Sequence, residues 1–379
     1  MATIMMLFSL RSVVASFLFF FCFITTSTAL SSTANTNNRV AVVTGASRGI
    51  GRGIALELGS EGYTVYCLGR SSRVQTDILL EQQQQRPISS DLDCTVESAA
   101  EQVSQRGGHG IAMPCDLRDD TVIDELLQTV FDEQGRLDVL VCSAYTTPPK
   151  NLRGDFWTQG MDMWDAVNHV GLRQVYAACR AGAPYMIQTA KEQTTMTPLI
   201  CLISSFGGKS YTFNVAYGIG KAAIDRMAVD MSYQLKKHKV ATISLYPGLV
   251  KTEANLQMEL DGTWAEASGN LDLSQGETPA FSGRAVAALS NLKGDALLQR
   301  SGQVEVVAEL AKELDFTDTD GIQPPSIRSL QYLLPNFVFP QVEREMKKPI
   351  PDWIRNNVPD YLVPWSTFSS GPPPEMDTR

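Results

Sequence analysis

The chain has 379 residues, of which 44% are apolar and 19% are charged, and its formal net charge is −9. This length and apolar content are sufficient for a full hydrophobic core, so the composition indicates a globular protein rather than a disordered one. The charges are spread along the chain without a Lys/Arg block, which argues against nucleic acid as a partner.

The amino-terminal segment differs from the rest of the chain. Arg11 precedes the apolar run Val13–Ile24, and small polar residues follow at Ser27–Ala29. This order is typical of a secretory signal peptide over residues 1–29, with cleavage after Ala29 and a second option after Ala34. The apolar run has 12 residues, whereas a helix that spans a bilayer needs roughly 20. A cleaved signal is therefore favoured, with an uncleaved membrane anchor as the alternative.

Six of the seven cysteines lie after this segment. Cys67, Cys115, Cys142 and Cys201 each fall at or near the end of an apolar run that is predicted to be a core strand, and no C-x-x-C spacing occurs. Such positions favour buried free thiols over disulfides or metal ligands. The three histidines are too dispersed to predict a metal site. The secretory signal and these reduced-looking cysteines point to different compartments, and the sequence leaves that conflict open.

From Arg39 onward, short β-branched runs alternate with longer amphipathic stretches, which is the pattern of repeated βαβ units. The runs are continuously apolar, as is typical of parallel strands that are covered on both faces. Six strands are predicted, at Val40–Thr44, Thr64–Leu68, Gly110–Cys115, Val139–Cys142, Leu199–Ser204 and Ala241–Leu245. The sequence therefore predicts an α/β fold with a doubly wound, Rossmann-like parallel sheet, built as a single domain with a C-terminal extension.

Two segments are longer than such a fold needs. Ser71–Gly108 is polar and Gln-rich, and we predict a surface excursion followed by the helix Val96–Gln105. The region after Pro247 is also long, and it ends in a stretch where aromatic residues interleave with prolines. An arm that packs on its own domain or on another subunit is favoured for this end, and a membrane-surface contact is the alternative.

Residues 44–51 read T-G-A-S-R-G-I-G, directly between the first strand and a helix that is predicted to begin near Arg52. Glycines at these positions permit a tight turn and let the backbone approach a pyrophosphate at the positive end of the helix. The strand before the motif and the helix after it make dinucleotide binding the expected role. The predicted coenzyme-binding residues of this loop are Thr44, Gly45, Ser47, Arg48, Gly49, Ile50 and Gly51.

The choice of coenzyme follows from charge. NAD enzymes of this fold usually carry an acidic residue after the second strand, whereas a 2′-phosphate at that place needs an arginine. Here the second strand is followed by Arg70, and Arg48 in the glycine loop adds a second cation. We therefore predict NADP(H) as the cofactor.

Four further motifs follow along the chain. Asn168 begins N-H-V-G, Ser204–Ser205 end a predicted strand, Tyr217 and Lys221 form Y-x-x-x-K, and Pro247–Gly248 follow the last predicted strand. Taken alone, Y-x-x-x-K is a frequent accident, because residues four apart are neighbours on any helix. Together with the glycine loop, these five motifs in this order and spacing resemble the short-chain dehydrogenase/reductase superfamily.

Carbonyl chemistry explains these residue types. Reduction of a ketone needs a hydride on carbon and a proton on oxygen, so an acid must lie within hydrogen-bond reach of the developing alkoxide. A phenol has an ordinary pKa near 10, and a positive neighbour one helical turn away stabilises its phenolate, which suits Tyr217 and Lys221. The resemblance implies further that Lys221 holds the nicotinamide ribose, that a serine orients the carbonyl oxygen, and that Asn168 anchors a water that relays protons.

The serine is ambiguous. A common family spacing, counted back 13 residues from Tyr217, gives Ser204, whereas alignment by strand end and the following glycine gives Ser205. Adjacent strand residues face opposite sides, so only one of them can point into the site. We favour Ser205, with Ser204 as the alternative.

The resemblance also implies the rest of the coenzyme site: Asp116, Leu117, Ala144, Pro247, Gly248 and Thr252, in addition to Tyr217 and Lys221. One departure stands out, because the family usually has N-N-A-G after the fourth strand and this chain has C-S-A-Y at 142–145. Ala144 survives, but the missing asparagines put the local bracing of the sheet in doubt.

Within the superfamily, Asn168–Leu172, Phe281–Ser290 and Ser301–Val304 look like the branch called dehydrogenase/reductase member 1. This branch resemblance extends to about residue 335. It implies a short-chain dehydrogenase/reductase domain at 39–335, followed by a Pro/aromatic tail at 336–379.

The function implied is NADP-dependent hydride transfer to a ketone or aldehyde, with a steroid-like or xenobiotic carbonyl or alcohol as the small-molecule partner. Two alternatives are an inactive NADP-binding regulator on the same fold and a member with other chemistry, such as enoyl reduction or dehydration. Enoyl reductases usually have a wider Tyr–Lys spacing than the four residues found in this chain.

Together with the signal peptide, the branch resemblance implies that the protein is located in the endoplasmic reticulum, in the lumen or on the membrane. A plastid or a mitochondrion is the alternative location. Membrane association and a homo-oligomer stay open.

Overall fold

A computed structural model of the chain describes residues 39–74, 93–146, 155–192 and 195–368. The predicted signal peptide at residues 1–29 and the Gln-rich part of the polar excursion lie outside the described residues. The helix predicted at the end of that excursion is confirmed with its bounds at Val96 and Gln105.

The described strands form one parallel sheet in the order β3-β2-β1-β4-β5-β6-β7. Its strands are β1 (Val40–Thr44), β2 (Thr64–Gly69), β3 (His109–Pro114), β4 (Val139–Cys142), β5 (Leu199–Ile203), β6 (Ala241–Tyr246) and β7 (Val304–Val306). The order reverses between β1 and β4, as in a doubly wound Rossmann-like sheet, so the predicted fold class is confirmed. Three of the six predicted strands differ from the observed ones by one residue at one end, and the third strand begins and ends one residue earlier than predicted. The seventh strand was not predicted, because three half-buried residues are too short for a periodic signal.

Helices cover both faces of the sheet and form most of the C-terminal region. They are α1 (Gly49–Ser60), α2 (Val96–Gln105), α3 (Asp120–Gln134), α4 (Met161–Asn168), α5 (Gln174–Glu192), α6 (Val215–Leu235), α7 (Glu253–Leu260), α8 (Trp264–Ser268), α9 (Pro279–Ser290), α10 (Ala296–Arg300), α11 (Val307–Leu314), α12 (Leu330–Leu333), α13 (Phe339–Met346) and α14 (Asp352–Arg355). Short 3-10 turns lie at Phe156–Thr158, Phe206–Gly208, Lys236–His238, Leu273–Gln275 and Trp365–Thr367, and π turns lie at His169–Arg173 and Leu334–Val338.

Strand β1 shows why the predicted strands are continuously apolar. Ala41 and Val43 point into a core that includes Ile54 of α1, whereas Val40 and Val42 point into a second core that includes Leu127 of α3. Successive strand residues face opposite sides, and helices cover both sides here. Every position of the strand is therefore buried, which places β1 at the centre of the molecule.

The cysteines of the core strands are buried as predicted. Cys67, Cys115, Cys142 and Cys201 are each at most 9% exposed and are free thiols. Cys142 also contacts the buried Cys179 of α5, with 3.9 Å between the two sulfur atoms. Burial raises the pKa of the Cys115 thiol to about 11, so this side chain packs as a small apolar group.

The C-terminal region folds back on the sheet domain. The backbone N–H of Val363 donates to the carbonyl of Arg328 at 3.0 Å, and the N–H of Leu330 donates to the carbonyl of Tyr361 at 2.9 Å. The Ser329 hydroxyl adds a 2.6 Å hydrogen bond to the Asp360 carboxylate. Through residue 368, the tail therefore packs on its own domain.

Candidate active site

The predicted catalytic residues meet at the carboxyl edge of the sheet. Ser205 comes directly after β5, and Asn168 is the last residue of α4. Tyr217 lies in the first turn of α6, where its backbone N–H donates to the side chain of Asn214 at 2.8 Å. That cap fixes where the helix begins, and with it the position of Tyr217 and of Lys221 one turn later.

The hydroxyl oxygens of Ser205 and Tyr217 lie 2.8 Å apart. Ser205 also accepts a 3.1 Å hydrogen bond from the backbone N–H of Gly207, which holds its side chain in the turn. A Cβ atom at position 207 would lie 2.5 Å from the Tyr217 ring, so this contact requires glycine at that position. The turn thus brings two hydroxyl groups to one point where a carbonyl oxygen could be bound.

The neighbouring serine faces the other way. The Ser204 hydroxyl donates to the backbone carbonyl of Lys221 at 3.2 Å, and the residue is only 2% exposed. It therefore braces helix α6 against β5. Of the two candidates, Ser205 is the serine that contacts Tyr217.

Lys221 occupies the same helical face as Tyr217. Its Nζ atom donates to the carbonyl of Ile203 at 3.1 Å and lies 5.7 Å from the centre of the Tyr217 ring. Burial lowers the pKa of Lys221 to about 8, and the nearby Asp225 carboxylate opposes that shift. Burial also raises the pKa of Tyr217, opposed by its hydrogen bond with Ser205. An ammonium next to a protonated phenol is suited to proton transfer near neutral pH.

Asn168 is 5% exposed and lies where α4 passes into a π turn. Its Nδ2 donates to the carbonyl of Ala216 at 3.2 Å. Its Oδ1 is buried and has no hydrogen-bond partner among the described residues. A Cβ atom at position 220 would lie 2.3 Å from this oxygen, so Gly220 leaves it free. Because buried acceptors are normally satisfied, this oxygen fits a bound water, as the predicted relay needs.

The glycine loop packs closely against residues 143–144, which follow strand β4. Gly45 has a φ of +72°, and a Cβ atom there would lie 2.7 Å from the Cα of Ala144. A Cβ atom on Gly51 would lie 2.2 Å from the Gly45 carbonyl oxygen. The Thr44 hydroxyl accepts from the backbone N–H groups of Ser143 and Ala144, at 3.1 and 3.2 Å. These bonds brace the strand ends where the family's asparagines are missing.

Helix α1 begins at Gly49, three residues earlier than predicted, and Arg48 at its cap position makes no side-chain cap. The backbone N–H of Gly49 instead donates to a carboxylate oxygen of Glu253, at 2.7 Å. Ser47 is buried and Ile50 is partly buried. The amino end of α1 is therefore able to bind an anion, and an acidic side chain binds there in this structure.

The two predicted phosphate-binding cations lie at the end of β2. The Arg48 guanidinium donates to the hydroxyl of Ser71 at 2.7 Å, and Arg70 is exposed. After β3, the Asp116 carboxylate pairs with Arg118, which lowers the pKa of Asp116, and Arg70 adds to that effect. Leu117, beside it, is 5% exposed. The Arg48 guanidinium at Ser71 and the preceding residue Arg70 bring two positive charges to the end of β2, which suits a phosphate group.

The motif after β6 lies across the loop from α1. Pro247 and Gly248 follow the strand, and a Cβ atom at position 248 would lie 2.9 Å from a carboxylate oxygen of Glu277. Thr252 caps helix α7 by accepting from the backbone N–H of Asn255 at 3.3 Å. A Cβ atom at position 49 would lie 3.5 Å from the methyl group of Thr252, so this segment forms one wall of the predicted coenzyme site.

Sequence reasoning missed Asp225, which lies one turn beyond Lys221 and is 4% exposed. Its carboxylate accepts hydrogen bonds from Ser244 at 2.7 Å and from the Tyr246 hydroxyl. The signal was present in the sequence, since Tyr217, Lys221 and Asp225 follow one another at four-residue steps along one face of a helix. Asp225 therefore places a buried carboxyl group behind Lys221, the candidate catalytic lysine.

Aromatic rings surround Tyr217. The ring of Phe213 meets it edge-on at 5.1 Å between centroids, and that of Tyr145 at 6.1 Å. Phe213 has a φ of +60°, which is a strained conformation for a bulky residue. The backbone strain at Phe213 was not readable from the sequence. These rings make the surroundings of the phenol apolar on two sides.

The described residues hold no group of three or more His, Cys, Asp or Glu side chains that could bind a metal ion. No helix among the described residues is long and apolar enough to cross a membrane.

The chain is similar in sequence to known oxidoreductases. The family model for short chain dehydrogenase matches residues 39–106, and the related one for enoyl-(acyl carrier protein) reductase matches residues 78–293. The chain is 37% identical over 304 residues to the mouse dehydrogenase/reductase SDR family member 1, covering 78% of this chain and 88% of the mouse protein. It is 36% identical over 308 residues to the human protein of that name, covering 79% and 88%.

Solved structures show the same fold at lower identity. A putative dehydrogenase from Xanthomonas campestris superposes with a TM-score of 0.59 at 22% identity, covering 75% of this chain and 93% of its own. A 3-oxoacyl-[acyl-carrier protein] reductase from Brucella melitensis, in complex with NAD, gives a TM-score of 0.57 at 21% identity, covering 71% and 95%. With the sheet order, the five motifs and these relatives in agreement, the chain belongs to the short-chain dehydrogenase/reductase family of oxidoreductases.

Proposed function

We propose that this oxidoreductase reduces a ketone or aldehyde carbonyl with NADPH and that Tyr217 is its general acid. The observation that carries the proposal is the 2.8 Å contact between the Ser205 and Tyr217 hydroxyls, with Lys221 one helical turn beyond. A carbonyl oxygen bound beside both hydroxyls would accept a hydrogen bond from each. Both donors then stabilise the negative charge that develops on this oxygen.

The bound coenzyme supplies the hydride. Tyr217 donates its proton to the developing alkoxide, and Lys221 stabilises the resulting phenolate by its charge. The unpartnered oxygen of Asn168 supports a water through which a proton returns to the site. Phe213 and Tyr145 exclude bulk water from the phenol and favour an apolar group beside the carbonyl, which suits a steroid-like or xenobiotic substrate.

Charge supports NADPH over NADH. Arg48 reaches to Ser71 at the end of β2, and Arg70 lies beside it with its side chain in solvent. The residues that follow β2 read R-S-S-R, without the carboxylate that usually binds the ribose hydroxyls of NAD. Two guanidinium groups at this edge can bind the 2′-phosphate that distinguishes NADPH.

The test is a panel of ketones and aldehydes, steroid-like and xenobiotic ones included, assayed with NADPH and with NADH by the loss of coenzyme absorbance. We expect turnover with NADPH on at least one bulky apolar carbonyl. An enoyl thioester and a conjugated enone belong in the panel, because a family model with an enoyl reductase name matches residues 78–293. Reduction of those alone would assign the site to enoyl chemistry. Coenzyme binding without any turnover would support the inactive regulator instead.

We also propose that the segment 1–29 directs the protein to the endoplasmic reticulum. The support is the Val13–Ile24 run followed by small polar residues. Amino-terminal sequencing of the protein from its source tests this, and we expect a mature end near Leu30. An intact Met1 on cytosolic material would refute the proposal, and an intact Met1 on membrane-bound material would favour the anchor.

A further inference from the structure

The C-terminal segment reaches the residue next to the candidate catalytic serine. Phe206 directly follows Ser205, and its ring meets that of Phe368 edge-on, with 4.7 Å between centroids and an interplanar angle of 85°. The ring of Trp365 lies 6.3 Å from the same phenylalanine. It also meets the Tyr246 ring edge-on at 5.7 Å. Edge-to-face pairs of this kind stabilise a contact beyond the apolar area that they bury.

The domain fixes this segment in place. The Arg328 guanidinium stacks over the Trp365 ring, 4.7 Å from its centre. The Nε atom of Arg328 in turn donates a 2.9 Å hydrogen bond to the carboxylate of Glu309, which holds the guanidinium in place. The Val363 N–H donates to the Arg328 carbonyl at 3.0 Å. Trp365 therefore contacts Phe206 from a segment that is tied to helix α11 and to the loop before α12.

We propose that Trp365 and Phe368 are positioning residues of the active site, which hold Phe206 and thereby keep the Ser205 hydroxyl on Tyr217. This inference rests on the proposed function, because it assigns the role through Ser205. It makes the tail segment 359–368 a functional part of the enzyme and not only an appended arm.

The turn itself explains why such support is needed. The backbone N–H of Gly208 donates to the Ser205 carbonyl at 2.9 Å, and that of Gly207 donates to the Ser205 hydroxyl. Two glycines carry no side chain that could pack, so Phe206 is the large apolar side chain of this turn. Without Trp365 and Phe368, the turn would keep these two hydrogen bonds and the packing of Phe206 on the cluster of Tyr246, Val306 and Ile327, but it would lose the two ring contacts from the tail. A displacement of about 1 Å at a catalytic group can cost up to about 100-fold in rate.

The experiment compares Trp365→Ala with Trp353→Ala in the full chain. Trp353 is a matched control, because it is a tryptophan of the same tail, is 71% exposed and is not one of the rings that contact Phe206 in the described residues. We expect Trp365→Ala to lower kcat by about 10- to 100-fold with little change in the KM for NADPH. Trp353→Ala should match the wild type. Trp365→Phe should recover most of the rate, since it restores an aromatic ring.

A second readout does not depend on turnover. Hydrogen–deuterium exchange of a peptide that covers residues 206–210 should rise in Trp365→Ala and stay at the wild-type level in Trp353→Ala. If the wild type reduces no carbonyl, the proposed function fails, and this exchange measurement still decides whether Trp365 supports the turn. Unchanged exchange together with unchanged kcat in Trp365→Ala would overturn the inference. Equal losses in both alanine variants would also overturn it, because they would indicate a general loss of tail structure.

Discussion

The carboxylate of Glu253 accepts a 2.7 Å hydrogen bond from the backbone N–H of Gly49, at the amino end of helix α1. This is where the glycine loop would bring the pyrophosphate of a dinucleotide, because the helix dipole and the free N–H groups attract an anion there. Glu253 is the first residue of α7 and follows Thr252, which lines the same loop. The Glu253 carboxylate would therefore compete with a bound coenzyme for the N–H of Gly49.

The first prediction is that Glu253→Gln tightens coenzyme binding. Removing the negative charge relieves repulsion with the pyrophosphate, and charges at a helix end are worth about 0.3–1 kcal/mol, or about 2- to 5-fold in Kd. Fluorescence titration with NADPH measures this effect. Glu259→Gln on the exposed part of the same helix is the control and should leave the Kd unchanged. A weaker coenzyme affinity in Glu253→Gln would mean that the carboxylate assists binding.

The second prediction separates the two adjacent serines. Ser205→Ala and Tyr217→Phe should each lower kcat by at least about 100-fold, because each removes a donor to the carbonyl oxygen, with NADPH binding nearly unchanged. Ser204→Ala should keep most of the activity and lower the Tm, since it removes a buried hydrogen bond to the carbonyl of Lys221. Steady-state kinetics and thermal melts on the three variants measure this. Loss of turnover in Ser204→Ala with an active Ser205→Ala would reverse the assignment.

These serines illustrate what the sequence could and could not decide. The strand ends and the order of the motifs predicted the sheet and placed Ser204–Ser205, Tyr217 and Lys221 at one edge. Which serine faces Tyr217 depends on where β5 ends, and the observed end at Ile203 is one residue earlier than predicted. Spacing and strand end thus left two candidates, and only the structure shows that Ser205 contacts Tyr217 whereas Ser204 bonds to the carbonyl of Lys221.

The contacts of the C-terminal region were beyond sequence reasoning for a different reason. Trp365 acts on Phe206 across a long separation in sequence, and no periodic pattern predicts such a pair. The contact of Glu253 with Gly49 could not be predicted either, because a single hydrogen bond joins the first residues of two helices that are far apart in sequence. Local sequence patterns predicted the helices and strands, whereas contacts between segments far apart in sequence were found only in the structure.

The third prediction concerns pH. Burial lowers the pKa of Lys221 to about 8, and Asp225 opposes this by its charge. Protonated Lys221 is the form that stabilises the Tyr217 phenolate, so the reduction rate should fall as the pH rises through about 8. Asp225→Asn removes the group that raises the pKa of Lys221, so this fall should begin at a lower pH. Of the other groups around this pair, Tyr145 contributes its ring face to Lys221, and Lys209 lies 3.9 Å from Asp225.

Rate profiles across pH for the wild type and Asp225→Asn measure this shift, at saturating NADPH. Asp230→Asn, an exposed substitution on the same helix, is the control and should leave the profile in place. A profile of Asp225→Asn that coincides with the wild type would remove Asp225 from the electrostatics of the site. A shift to higher pH would contradict the role of Asp225 as the group that raises the pKa of Lys221.

The fourth prediction tests the coenzyme preference. Replacing Arg48 and Arg70 together with Ala should raise the KM for NADPH far more than that for NADH, because only NADPH carries the 2′-phosphate that these guanidinium groups would bind. Steady-state kinetics with both coenzymes measure the two constants. Arg180→Ala is the control, since that exposed arginine of α5 pairs with Asp124 of α3, and it should leave both constants unchanged. Equal changes for both coenzymes would refute the assignment of Arg48 and Arg70 to the phosphate.

The last prediction concerns stability and Glu277, whose carboxyl is 2% exposed beneath the Gly248 backbone. Burial raises its pKa from the usual 4.5 to about 8, with Asp318 adding to the rise and the N–H of Gly248 and the hydroxyl of Ser282 opposing it. The folded protein therefore keeps a proton on Glu277 that the unfolded chain releases near its usual pKa, so the free energy of unfolding should decrease as the pH rises from about 4.5 to about 8.

Glu277→Gln keeps an uncharged acceptor and should melt at a more constant Tm over that range, above the wild type at pH 8. Thermal melts at several pH values measure this, with the exposed Glu266→Gln as the control. If the Tm of Glu277→Gln decreases with pH as steeply as that of the wild type, the buried carboxyl is not the source of the dependence.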